Sequence, residues 1–190
     1  MNSSASPSHC RRISRTNAGL VVVDIQERLL PAISEKEQLV QNAVRLIKGA
    51  QILRLPLFAT EQYRKGLGGT ATEIAATIAN FAPQEKVTFS SCGVPGFVET
   101  IRAKGVSDVI MCGMETHVCV CQTCLDLLAA GFRVFVVADA SSSRAPQNHR
   151  TGIERMRDAG AVVVSTEMIL FELLERSGTE EFRQVLALIK

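Results

Sequence analysis

From residue 19 to the end of the chain, short apolar runs alternate with stretches in which apolar residues recur every three or four positions. The runs fall at 19–25 (GLVVVDI), 57–60, 86–89, 109–114, 134–138 and 162–165, the third being the weakest. Their brevity and their wealth of β-branched residues predict buried strands rather than helices. Between them, Leu39, Ala43, Leu46, Ala50 and Leu53 trace one helical face. Val98, Ile101 and Arg102 run up to Gly105, Leu125, Leu128 and Ala129 to Gly131, and Ile153, Met156 and Ala159 to Gly160, each glycine being a natural helix stop. Two short helices, from Glu167 and from Thr179, are predicted to close the chain. Strands alternating with helices imply an α/β fold in three layers, α/β/α, with a Rossmann-like open sheet of about six parallel strands. No repeat or linker divides the pattern, so one domain is expected over 18–190, preceded by a leader over 1–17.

Composition narrows the class. A chain of 190 residues that is 46% hydrophobic can bury roughly 70% of its unfolded surface, and needs no disulfide framework to fold. No apolar run approaches the roughly 20 residues that span a bilayer, so no membrane partner is expected. The six cysteines, with no long apolar stretch at the start, read as reduced thiols in a cytoplasmic setting. Arg11, Arg12 and Arg15 lie in a Ser-rich leader without acidic residues, which is either a flexible tail or a mitochondrial targeting segment. Without them the body holds 18 basic against 19 acidic residues, no Trp and one Tyr, which argues against nucleic acid as a partner.

Ligands of an open parallel sheet bind beyond the carboxyl ends of its strands. Asp24 closes the first run, and a buried carboxylate there must be paired, whether it caps a helix or does chemistry. Lys86 heads the KVTF run. The fourth run passes through Gly113 and Met114 into Glu115, Thr116, His117, Val118 and Cys119, where a helix is expected to begin. A helix start and a nearby ammonium both lower a thiol's pKa, so Cys119 beside Lys86 is expected to be an activated nucleophile. Asp24 opposes that shift and is better suited to moving protons as general base and acid.

These residues, in the segments VVVDIQERLLPAI, TEQYRKGLG, KVTFS, GMETHVCVCQTCLDLLAAG, VVADASSSR and RMRDAGA, resemble the isochorismatase-like cysteine hydrolases over roughly residues 18–176. The GMETHVCV stretch with TCLDLL behind it is the specific signal. The resemblance implies that Asp24 is the acid/base, Lys86 the lysine and Cys119 the nucleophile of a catalytic triad. It further implies a cis peptide between Met114 and Glu115, and an oxyanion hole from the backbone N–H groups of Glu115 and Cys119. The activity it implies is hydrolysis of a small-molecule amide-like C–N bond through a thioester, with no cofactor, in a homo-oligomer. The alternative is a catalytically silent member that binds a small molecule or a protein.

Within the family, nicotinamidases hold a metal through an Asp and histidines after the second strand, where this chain reads TEQYRK, so neither metal nor nicotinamide is expected. True isochorismatases lack the covalent cysteine, and Cys119 therefore favours the thiol route. Cys121 and Cys124 are three apart and read as packing residues, with no further ligands to complete a zinc site. Gln26, Tyr63 and His117 are candidate pocket residues, each with a plain hydrogen-bonding role as the alternative. The turn DIQERLLP has no glycine to admit a pyrophosphate, which removes a dinucleotide-binding dehydrogenase. Gly66, Leu67, Gly68 and Gly69 lack the Lys and Ser/Thr of a phosphate loop and read instead as a mobile loop beside the site.

Overall fold

A computed structural model describes residues 12–190. The chain alternates β1 (Ala18–Val23), α1 (Lys36–Ile52), β2 (Leu57–Gln62), the single turns α2 (Arg64–Leu67) and α3 (Thr72–Ala75), and β3 (Gln84–Lys86). It continues through α4 (Phe97–Ala103), β4 (Asp108–Met114), a π-helical turn over Thr116–Val120, α5 (Cys121–Ala129), β5 (Arg133–Ser142), α6 (Pro146–Asp158) and β6 (Val162–Val164). It ends in α7 (Thr166–Leu174) and α8 (Glu180–Ile189). The six strands form one parallel sheet in the order β3-β2-β1-β4-β5-β6.

Strand β1 is buried at every residue because helices cover both faces of the sheet. Its alternating side chains divide the core: Leu20 and Val22 pack with Leu39 and Leu46 of α1 and Leu170 of α7. Val21 and Val23 pack on the other side with Ile101 of α4, Leu127 of α5 and Met156 of α6. The three layers and six parallel strands inferred from the pattern are those observed. β1 lies between β2 and β4, so the chain changes its direction across the sheet there, and a crevice opens above the ends of β1 and β4. Gly113 makes this junction possible. It pairs with Val23 at a φ of 132°, and a Cβ there would lie 2.0 Å from the Val23 carbonyl oxygen.

Three boundaries differ from the pattern. The third strand spans Gln84–Lys86 rather than 86–89, so Lys86 ends it instead of heading it. Beyond Lys86 the carbonyls of Thr88 and Phe89 turn back to accept from its ammonium. Val87 and Phe89 are left exposed. The glycine-rich segment is a helical turn held in place, with Gly68 and Leu67 carbonyls accepting from Gln26 Nε2 and the Arg28 N–H, and the Gly69 carbonyl from the Glu27 N–H. The leader's first eleven residues lie outside those described. Of the rest, Ile13 is buried and its N–H donates to Glu172, and the Asn17 carbonyl accepts from Ser107 and Asp108.

Candidate active site

Asp24 follows β1 at a φ of 52°, its N–H donating to the Thr60 carbonyl, which turns its side chain into the crevice away from the strand. The carboxylate is fully buried and partnered on both oxygens: Thr60 Oγ1 donates to Oδ1 at 2.7 Å, and Lys86 Nζ donates to Oδ2 at 2.6 Å. The Lys86 ammonium also donates to Gln62 Oε1 at 2.7 Å and to the Phe89 carbonyl at 2.8 Å. Two opposite charges are thus removed from water with their hydrogen-bonding capacity filled, the condition under which burial is tolerated. The register explains the meeting, because Gln62 pairs with Lys86 and Val23 pairs with Thr60 across adjacent strands.

Cys119 lies in the π-helical turn that links β4 to α5, 7% exposed, in the same cleft as Asp24, with Asp24 and Lys86 both acting electrostatically on its thiol. The helix opens at Thr116, three residues before the expected start, which places Cys119 within its first turn. The expected thiol activation is reversed: the Cys119 thiol is pushed up to about 12, chiefly by burial and then by the Asp24 carboxylate, with Lys86 pulling the other way. The reason is geometric. The ammonium that was to stabilise a thiolate is already matched by Asp24 at 2.6 Å, so Cys119 faces a neutralised pair in a desolvated site. The resting sulfur is a thiol beside a carboxylate able to take its proton.

The peptide between Met114 and Glu115 is cis. Glu115 is buried, and its carboxylate accepts from the Arg144 N–H at 2.9 Å and from Arg144 Nε at 3.1 Å. Above Cys119 lies a cleft of about 190 Å³ lined by Asp24, Leu29, Gln62, Leu67, Phe89, Glu115, Val118, Cys119 and Arg144. At about 30 Å³ per water this holds roughly six waters, the scale of a small metabolite.

Asp24, Lys86 and Cys119, separated by up to 95 positions in sequence, are brought together; the pocket candidates are not. Gln26 is fully buried and braces the site from behind, donating to the Gln62 and Gly68 carbonyls while accepting from the Gln62 N–H. Tyr63 is 51% exposed, its ring lying over Gly66, where a Cβ would meet it at 2.4 Å. His117 is held between Ser143 and Asn148. None of the three lines the cleft. The side chains the motif reading passed over are Gln62, Arg144 and Thr60, although TEQY and SSSR had marked their segments. Among the described residues, no group of three or more His, Cys, Asp or Glu is gathered to hold a metal ion, and no helix is long and apolar enough to cross a membrane. Cys121 and Cys124 are buried in the core on the α5 side of the sheet.

An open parallel sheet with a carboxylate, an ammonium and a thiol converging at its switch point defines an α/β protein with a cysteine-centred site. The isochorismatase domain model matches residues 18–168, and the chain belongs to the isochorismatase family. Isochorismatase domain-containing protein 1 of Salmo salar is 38% identical over 167 residues, 88% of this chain and 59% of that protein's length. Isochorismatase domain-containing protein 2A of Mus musculus is 34% identical over 94% of this chain and 85% of its own. Among solved structures, the MAR1 ribonuclease of Caenorhabditis elegans superposes with a TM-score of 0.88 at 38% identity, covering 94% of this chain and 92% of the other. The YcaC gene product of Escherichia coli, described as an octameric hydrolase of unknown specificity, gives 0.85 at 25% identity, covering 97% and 89%.

Proposed function

We propose that the protein is a cofactor-independent cysteine hydrolase that cleaves an amide-like C–N bond of a small molecule. The observation that carries this reading is the Cys119 thiol set against a buried Asp24–Lys86 pair at the floor of a small cleft. In the proposed cycle Asp24 takes the thiol proton as sulfur attacks the carbonyl carbon. The backbone N–H groups of Glu115 and Cys119 receive the developing oxyanion. The tetrahedral adduct collapses to a thioester as the C–N bond breaks, and Asp24 returns the proton to the departing nitrogen. Water then attacks the thioester, giving its proton to Asp24; the C–S bond breaks, and the thiol recovers its proton. Lys86, donating to Asp24 Oδ2 at 2.6 Å, holds the carboxylate in position between these transfers.

A thiol pushed up to about 12 fits this order of events, because proton removal is coupled to attack and does not precede it. The nematode neighbour's description as a ribonuclease is not carried over: the cleft of about 190 Å³ suits a small metabolite better than a polynucleotide, and the body is close to neutral. The test is a screen of small amides for ammonia or amine release with wild type and Cys119→Ser in parallel. The expected outcome is turnover that falls by about 10³-fold or more in Cys119→Ser while ligand affinity stays within a few fold. Turnover indifferent to Cys119 sinks the cysteine mechanism, and ligand binding with no turnover in the wild type favours a silent binder.

A further inference from the structure

Most polar groups that line or underlie the cleft are committed to one another. The Lys86 ammonium is shared among Asp24, Gln62 and the Thr88 and Phe89 carbonyls. The Gln62 amide accepts from Lys86 and donates to the Val87 carbonyl. Glu115 accepts from Arg144. Leu29, Leu67, Phe89 and Val118 supply apolar wall.

Arg144 is the exception. Its Nε is held by Glu115 at 3.1 Å and its own backbone N–H donates to the same carboxylate, so the root of the guanidinium is anchored at two points. Its two terminal nitrogens have no partner among the described residues, and its side chain is 63% exposed where it lines the cleft. A guanidinium with a fixed root and free paired donors is matched to a planar carboxylate. Glu115 is buried and bonds along Nε, so it balances the charge without taking the terminal donors. Selection then rests on short charge-assisted hydrogen bonds rather than on a long-range field.

We propose that Arg144 is the specificity-determining residue of the cleft, and that the substrate is a small amide-like compound bearing a carboxylate, which Arg144 clamps while the scissile carbonyl lies at Cys119. This rests on the hydrolase reading above, and the experiment separates the two. Iodoacetate and iodoacetamide alkylate a thiolate by the same displacement, S–C bond formation with loss of iodide, and differ in bearing a carboxylate or a neutral amide. The fraction of thiolate cancels in the ratio of their rates. That ratio at Cys119, followed by peptide mass, is expected to exceed the ratio for N-acetylcysteine by at least about tenfold. Arg144→Gln is expected to bring it within about twofold of N-acetylcysteine, while Arg144→Lys, which keeps the charge but loses the Nε anchor and the paired donors, retains only part of the preference, a graded response that a merely structural role would not give. A wild-type ratio no higher than that of N-acetylcysteine, or a preference that survives Arg144→Gln, overturns the assignment. Should Cys119 take neither reagent, the nucleophile reading falls by itself. Thermal shift with malonate against malonamide then decides Arg144: stabilisation by malonate alone, lost in Arg144→Gln, upholds the anion clamp, and equal responses overturn it.

Discussion

Lys86 and Asp24 are both almost wholly removed from water, and each satisfies the other. Removing one partner leaves a buried charge uncompensated, which costs about 3–5 kcal/mol. Lys86→Met is therefore expected to lower stability by that amount in chemical denaturation and to abolish turnover. The double variant Asp24→Asn/Lys86→Met is expected to recover part of the stability and none of the activity; additive losses in stability would contradict the pairing. At this scale the sequence revealed what strand ends reveal. Asp24 interrupts an apolar run, and Cys119 follows one, so both stood out. Gln62 and Arg144 did not, because a glutamine or an arginine in a polar stretch looks like surface until its partners are known. The direction of the Cys119 shift was illegible for a related reason: it turns on whether Lys86 already has a counter-ion, a distance no spacing encodes.

The elements were more legible than their ends. Six runs and their intervening helical faces correspond to six strands and the main helices, since periodicity reports which face is buried. The third strand was misplaced by two to three residues because KVTF is apolar enough to pass for a strand, yet its carbonyls are drawn to the Lys86 ammonium instead of a sheet partner. The π-helical turn before α5 left no mark in the pattern, and it is the turn that carries Cys119. The junction of β1 and β4 depends on Gly113, whose φ of 132° and contact with the Val23 backbone leave no room for a side chain. Gly113→Ala is expected to destabilise the fold by about 3 kcal/mol or more, read as a lowered urea midpoint, and to displace Asp24 from Cys119. An alanine variant with unchanged midpoint would show that the strands can part there at little cost.

At the scale of the whole molecule, the sheet brings three chemical groups from the ends of β1, β3 and β4 to one crevice, the placement expected of a parallel sheet at its switch point. Tyr63, Val87 and Phe89 are large apolar side chains left exposed around the end of β3, near the mouth of that crevice. This strip leads us to propose a homo-oligomer that covers it. Sedimentation velocity is expected to show an assembly that Val87→Glu weakens; a monomer of 20.6 kDa would contradict the proposal. The central claim is that Asp24, Lys86 and Cys119 act as one proton-transferring unit, and the pH dependence of Cys119 alkylation in wild type and Asp24→Asn tests it most directly. Asp24 raises the thiol and Lys86 lowers it, so removing the carboxylate charge while the ammonium stays must bring the thiol down from about 12. The account predicts an apparent pKa lowered by at least about one unit in Asp24→Asn, with faster alkylation at neutral pH and lost hydrolysis. An apparent pKa that stays put, or rises, would show that the carboxylate and the thiol are not coupled.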